Sequence, residues 1–362
     1  MVSPKLTCAG KDGPLRLPNM LPFVLARTAW AGVLFLVVTM FTFVVFFLLP
    51  SAQVRAPGRG GNADEIDIRD SIRLHGPVYQ QYGQFVYRFV RHGSLGRSYF
   101  NRQTVSSMIE RAAPVTLSLL LGGAVMWMLM ALPIGILSAL RPRSLLDRAG
   151  MVFVLIGVSA HPAWLGLILG HFLGYKLGWF PFSGYCEMFS PTTVCGGPTQ
   201  WVYHLLLPWF TFALLYAAIY ARMIRASVIE TLDEEYVRTA RAKGASEFKV
   251  LRAHVLRNAM LPIVTMVGMD IGTALGGVVF IESVFGLPGL GGMLRGALPA
   301  RDLPVILGVV MFTTTGILLL NLIVDLSYAL IDPRIRGSYL GTRRRPREGP
   351  AAAHAPEPAA AT

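Results

Sequence analysis

The sequence predicts an all-α membrane protein with six transmembrane helices. Of its 362 residues, 53% are apolar and only 15% are charged, and the mean hydropathy is +0.52. Soluble domains carry about a quarter charged residues, so this composition excludes an ordinary soluble protein. Charged residues are missing from long runs that exceed the length of a buried strand. Membrane-crossing helices are therefore the expected elements.

Six runs reach the ~20 residues that a helix needs to cross a ~30 Å hydrocarbon layer. The first run follows basic residues, as in a signal peptide, but it is longer than the ~7–15 apolar residues of such a peptide. We therefore interpret it as an uncleaved anchor. Pro133 is expected to kink the second run, and His161-Pro162 to cap or kink the third. The runs are residues 29–49, 112–140, 149–175, 201–221, 258–281 and 303–331.

The distribution of Lys and Arg predicts that both termini are cytoplasmic. Eight basic residues lie in 222–257 and six follow residue 331, whereas 176–200 has one and 282–302 has two. Short cytoplasmic loops carry such an excess. Membrane orientation thus accounts for the formal net charge of +13, and no nucleic-acid partner is expected. The predicted divisions are a cytoplasmic arm at 1–28, a transmembrane unit at 29–336 with an external loop at 51–111, and a disordered cytoplasmic tail at 337–362.

The external loop is predicted to contain an amphipathic helix. Six apolar residues fall on one helical face. Such a helix lies on the bilayer or on a partner, or else it caps the helix bundle of its own chain, and the pattern does not choose between these alternatives. The residues of this face are Val78, Tyr82, Phe85, Val86, Phe89 and Val90.

The cytoplasmic loop at 222–257 is predicted to form two short helices separated by a glycine. Asp233 is the expected N-cap of the first helix, and Gly244 is expected to end it. Ser246 then begins a second helix, which enters the membrane at Asn258. Two helices joined by a glycine bend can move as a rigid lever. An ordinary basic linker is an equal alternative on physical grounds.

Two segments of this loop carry a specific pattern. Residues 235–244 read Glu-Tyr-Val-Arg-Thr-Ala-Arg-Ala-Lys-Gly, and residues 254–262 read His-Val-Leu-Arg-Asn-Ala-Met-Leu-Pro. Together they resemble the EAA loop of permeases from binding-protein-dependent ABC transporters, in the dipeptide, oligopeptide and nickel branch. Arg238-Thr239-Ala240 stands where the general pattern has Glu-Ala-Ala. Further segments that resemble this branch lie at 93–98 with 113–117, 178–184, 276–291 and 322–336.

The resemblance implies a type I ABC importer permease-like bundle and a role as the permease subunit of an ATP-driven importer of di- or oligopeptides. Its implied partners are a second homologous permease subunit, two ATP-binding subunits and an extracytoplasmic substrate-binding protein, at the inner membrane of a prokaryotic cell. The loop at 232–252 would dock in a cleft of an ATP-binding subunit, with Tyr236, Val237 and Ala240 entering it. The coupling residues implied are Tyr236, Val237, Arg238, Thr239, Ala240, Arg241 and Gly244.

Other functions remain open at this stage. The same machinery carries glutathione or nickel chelates in this branch. An ion-coupled secondary transporter would need a relay of intramembrane acids and bases, and the spans offer only Asp270 and Asp325 with two histidines. The chain has no Gly-x4-Gly-Lys-[Ser/Thr] phosphate-binding loop, so energy must come from a partner or an ion gradient. No catalytic residue, cofactor or metal is expected.

Cys186 and Cys195 are expected to form a disulfide. Both lie in an external loop, on the oxidising side of the membrane, and the short segment between them contains Ser190-Pro191. Two free thiols are the alternative. Cys8 lies on the cytoplasmic side and is expected to stay reduced.

Asp270 lies near the middle of the fifth apolar run, where an ionised carboxylate costs ~2.5–3.5 kcal/mol on insertion scales. Glycines at every fourth position of this helix allow close packing on a neighbour. At 100° per residue, Asp270 points almost directly away from them. It therefore faces a central cavity, where it can attract a cationic group, or it is protonated or hydrogen-bonded against another helix. The three glycines are Gly268, Gly272 and Gly276.

Overall fold

A computed structural model describes residues 21–48, 78–93, 95–98, 100–189, 195–300 and 302–331. Most of the predicted cytoplasmic arm, the first part of the external loop and the predicted tail lie outside these residues. The described residues are mainly helical and contain no strand, apart from an isolated antiparallel bridge between Arg97 and Thr104. The all-α prediction is therefore confirmed.

Eleven α-helices make up the described residues, and two of them continue into π-helical segments. Five helical stretches of the described residues are long and apolar enough to cross a membrane, and the count is six if a bent helix pair forms one span. In chain order the helices are α1 (Leu21–Leu48), α2 (Val78–His92), α3 (Val105–Leu140), α4 (Leu145–Ser159), α5 (Pro162–Leu169, then π-helical Gly170–Lys176), α6 (Pro198–Leu232), α7 (Glu235–Ala242), α8 (Glu247–Val250, then π-helical Leu251–Val255), α9 (Leu256–Phe285), α10 (Leu290–Ala300) and α11 (Leu303–Ile331).

The third predicted span is the bent pair. Helices α4 and α5 meet at an angle of 108°. His161 is the N-cap of α5, and its Nδ1 accepts a hydrogen bond from the Ala163 N–H at 3.2 Å. Pro162 occupies the first turn of α5, where its missing N–H costs nothing. His161-Pro162 thus interrupts this span and caps its second half, as the sequence indicated.

The core forms where α3 packs along α6. Trp127, Phe212 and Tyr220 are fully buried there. Close approach of the two backbones depends on glycine: a Cβ added at Gly135 would lie 2.7 Å from Ile224 Cβ and 2.8 Å from the Ala221 carbonyl oxygen. This pair provides the rigid centre on which the other helices pack.

The predicted amphipathic helix is present as α2, and two residues of its apolar face, Tyr82 and Phe89, contact α1. The Tyr82 hydroxyl lies 2.7 Å from Thr39 Oγ1, and the Phe89 ring stacks on Phe35 with centroids 6.1 Å apart. On the opposite face, Tyr87 is exposed. Of the alternatives for this helix, packing within its own chain is the one the structure contains.

Candidate coupling and translocation sites

The segment between α6 and α9 is a compact helical hairpin. Helix α6 continues without interruption to Leu232, so the first part of the predicted loop at 222–257 is helical. Asp233 is the C-cap of α6, and Glu234 is the N-cap of α7, so the predicted capping role of Asp233 is wrong. Ser246 is the N-cap of α8, as expected.

The bend of the hairpin is at Gly244, whose φ is +80°. Non-glycine residues rarely adopt this left-handed conformation. Across the bend, Arg241 Nε lies 3.0 Å from Glu247 Oε1, and Arg241 Nη2 lies 3.2 Å from Oε2. These paired hydrogen bonds join the end of α7 to the start of α8 and fix the angle between them.

The apolar face of α7 is turned toward the protein's own core. Val237 is 0% exposed and Ala240 packs against the main core cluster, while the Tyr236 hydroxyl accepts a hydrogen bond from Asn258 Nδ2 at 2.8 Å. Val237 is therefore covered by its own chain, whereas Ala240 is half-buried and Tyr236 is exposed. Docking of Tyr236 and Ala240 in a partner's cleft stays a prediction. An eight-residue amphipathic helix buries its apolar face where its own chain offers apolar surface.

The outward face of the hairpin consists of different residues. Arg238, Thr239 and Ala242 lie on the exposed side of α7. On α8, the Phe248 side chain is 72% exposed. We call these four residues the hairpin surface. An exposed phenylalanine beside basic and small residues is a composition found at protein–protein contacts.

Two contacts attach the base of the hairpin to the bundle. Ser227 Oγ donates to the Ala259 carbonyl at 2.9 Å, which joins α6 to α9. Two residues earlier in α6, Arg225 forms an ion pair with Asp147 in α4. These contacts connect the base of the hairpin to α4, α6 and α9.

Asp270 lies against the aromatic core. The Tyr220 hydroxyl donates to Asp270 Oδ2 at 2.6 Å. The Trp127 ring stacks on Tyr216 and Tyr220, with centroid distances of 4.6 and 5.9 Å. Asp270 is nevertheless only partly buried. The hydrogen-bonded alternative and the partly open position are therefore both present.

The glycine stripe of α9 packs closely at two of its three positions. A Cβ on Gly268 would lie 2.7 Å from Val324, and one on Gly272 would lie 2.6 Å from Asn321 Oδ1, both on α11. A Cβ on Gly276 would have no atom of the described chain within 4 Å. The predicted close contact thus involves Gly268 and Gly272, and Gly276 faces open space.

Sequence analysis missed two carboxylates at the other end of the bundle. Glu282 is fully buried, and its Oε2 accepts the Gly291 N–H at 2.6 Å, at the start of α10. Asp302, also buried, accepts a hydrogen bond from Ser98. Both ends of α10 are thereby held. In the sequence, both carboxylates could have been found as charged residues at the edge of an apolar run.

The two predicted cysteine partners are adjacent. Cys186 and Cys195 are joined by a disulfide in this structure, with Cα atoms 5.4 Å apart. His204 Nδ1 lies 3.3 Å from Cys186 Sγ, which gives a cluster of three potential metal ligands. Metals bind the thiolate form of cysteine, which the disulfide does not provide.

Long apolar helices with a hairpin between α6 and α9 define a multi-pass membrane protein. The chain belongs to the family of binding-protein-dependent transport system inner membrane components, which matches residues 131–337. The corresponding N-terminal region of these components matches residues 20–120. Members of this family are membrane permeases and are not themselves catalytic.

Relatives match nearly the whole of this chain. It is 35% identical over 319 residues to a putative peptide transport system permease protein of Brucella abortus, and 39% identical over 324 residues to a putative peptide permease of Brucella suis. It is 33% identical to the dipeptide transport system permease protein DppB of Escherichia coli. Each alignment covers 88% of this chain and 99% of the relative. A crystal structure of an amino acid ABC transporter matches 62% of this chain and 95% of its own, with 15% identity and a TM-score of 0.49.

Proposed function

We propose that this chain is one permease subunit of an ATP-driven importer of di- or oligopeptides. The names of its relatives support this substrate class, since alignments over 88% of the chain lead to peptide permeases in several bacteria. The permease forms half of the translocation pathway. A second homologous permease subunit forms the other half, two ATP-binding subunits supply energy, and an extracytoplasmic binding protein delivers the peptide.

The observation that carries the coupling role is the braced hairpin of α7 and α8. Its bend is fixed by Gly244 and by the Arg241–Glu247 pair, and its base is bonded to the long helices. A rigid element of this kind transmits a displacement at its tip to the helices that line a pathway. The ATP-binding subunit docks on the hairpin surface, with Phe248 as its apolar anchor. Val237 acts from the inside and holds α7 on the bundle.

Orientation in the membrane follows from the same assignment. The hairpin lies on the cytoplasmic side, which agrees with the eight Lys and Arg residues in 222–257, the hairpin and the adjoining helix ends. With six spans, both termini are then cytoplasmic. Glu282, Asp302 and the Cys186–Cys195 disulfide lie toward the external side.

The test is uptake by the complete transporter. The chain is purified with its companion permease, ATP-binding subunits and binding protein, and reconstituted in liposomes. We expect accumulation of labelled dipeptide or tripeptide that requires both ATP and the binding protein. Uptake driven by an ion gradient without ATP would contradict the proposal. ATP-driven uptake of glutathione or a nickel chelate, without uptake of peptides, would support the proposed ATP-driven importer but contradict the proposed peptide substrate.

A further inference from the structure

Asp270 lies far from both ends of its apolar run. The Ser227–Ala259 hydrogen bond marks the cytoplasmic level at which α6 and α9 meet. Asp270 is eleven residues further along α9, or ~16 Å at the α-helical rise. A carboxylate at this depth does not face lipid, because ionisable groups inside a membrane face the protein interior or a water-filled cavity.

Among the described residues, the hydrogen-bond partners of Asp270 are neutral. The Tyr220 hydroxyl donates to Oδ2 at 2.6 Å, Thr273 Oγ1 donates to the Asp270 backbone carbonyl at 3.0 Å, and Tyr216 lies one turn before Tyr220 on α6. No Lys, Arg or His in the described part of the chain forms an ion pair with Asp270. A cation from outside this chain can therefore pair with the carboxylate.

The carboxylate is not closed off by its own chain. Asp270 is partly exposed, and the preceding residue, Met269, is 58% exposed. Tyr220, which holds the carboxylate, stacks on the Trp127 ring with centroids 5.9 Å apart. A carboxylate beside a tyrosine hydroxyl and aromatic rings is a chemistry that binds ammonium groups.

We propose that Asp270, positioned by Tyr220 and flanked by Tyr216, binds the protonated amino group of the substrate as it passes through the membrane. This inference rests on the proposed function, because a peptide with a free N-terminus carries an ammonium whose ordinary pKa is about 8. The site takes primary ammonium groups and disfavours N-blocked peptides. A basic residue of the second permease subunit is the competing occupant, and the experiment separates the two.

The first experiment measures the local charge and does not depend on substrate transport. Thr273→Cys is made in a Cys8→Ser background and the assembled complex is treated with a cationic and a neutral thiol reagent, with and without ATP and vanadate. We expect the cationic reagent to react about tenfold faster, and Asp270→Asn to remove that preference. Equal rates with the two reagents, or no labelling in either state, would overturn the proposal.

The second experiment measures dipeptide uptake by variants of Asp270. In proteoliposomes with the unaltered binding protein, we expect Asp270→Asn to reduce uptake of a free dipeptide at least about tenfold, and Asp270→Glu to restore part of it. Glu110→Gln is the matched control, since it removes the same charge at an exposed position. Loss of the companion permease on purification of Asp270→Asn would assign the carboxylate to the subunit interface and overturn the proposal, as would unchanged uptake. If wild-type protein takes up no peptide, the proposed function fails while the thiol experiment still tests the cation site.

Discussion

The guanidinium of Arg225 and the carboxylate of Asp147 form a two-point ion pair between α6 and the first turn of α4. Arg225 Nε lies 2.7 Å from Asp147 Oδ1, and Nη2 lies 3.0 Å from Oδ2. The same carboxylate accepts the Arg143 N–H at 2.9 Å, and Ser144 caps α4. One aspartate thus fixes the turn between α3 and α4 and attaches it to α6, two residues before the Ser227 contact at the base of the hairpin.

We expect Arg225→Met to lower the thermal midpoint of the purified protein, because it leaves the buried Asp147 carboxylate without its cation. Arg225→Lys should have an intermediate effect, since an ammonium cannot make two parallel hydrogen bonds. Combining Arg225→Met with Asp147→Asn should recover part of the loss. Arg222→Met, at an exposed site on the same helix, is the control. Strictly additive losses in the double variant would contradict a direct pair.

The hairpin surface predicts which positions touch the ATP-binding subunit. Cysteines at Thr239 and Ala242 should crosslink to cysteines placed in the cleft of that subunit in isolated membranes, and a cysteine at Val237 should not, because Val237 is buried. The opposite pattern would mean that α7 rotates when it docks, and would contradict the assigned surface.

Removing the aromatic anchor should weaken the same contact. Phe248→Ala is expected to reduce co-purification of the ATP-binding subunit and ATP-dependent uptake several-fold, because the side chain is 72% exposed in the free chain and buried aromatics dominate interface energies. The matched control is Leu145→Ala, at an 82% exposed apolar position on α4. Equal retention of the subunit by both variants would exclude Phe248 from the interface.

The backbone at Gly244 should tolerate only residues that accept a positive φ. Gly244→Val is expected to abolish uptake while membrane insertion is retained, since a β-branched residue at φ +80° is strained by roughly 1–2 kcal/mol or more. A Cβ here meets nothing within 4 Å in the described structure, so crowding is not the cause. Gly244→Asn should retain most activity, because asparagine adopts the left-handed region more readily. Equal loss in both variants would show that the conformation is not the critical property.

The disulfide predicts a specific pattern of thiol reactivity. Non-reducing peptide mapping should show Cys186 linked to Cys195, and alkylation without reductant should label Cys8 alone. The closed loop is short, with a sequence separation of 9, so the bond is expected to contribute only ~2–3 kcal/mol. Labelling of all three cysteines without reductant would contradict the pairing.

The sequence by itself determined the membrane class, the long apolar helices and the position of the glycine bend. These properties depend on local quantities: the length of an apolar run and the position of a proline or glycine. His161-Pro162 and Gly244 show this clearly, because a cap or a positive φ is set by the residue and its nearest neighbours.

Only the tertiary structure decided which side of each element is covered. The helical spacing of Tyr236, Val237 and Ala240 indicates one apolar face, but not that this face packs on the chain's own core and leaves Phe248 outside. In the same way, Asp270 is visible as an intramembrane carboxylate, while its hydrogen bond to Tyr220 joins residues 50 positions apart. The physical reason is that a periodic pattern states how much surface a helix must bury, whereas the surface that buries it belongs to distant segments.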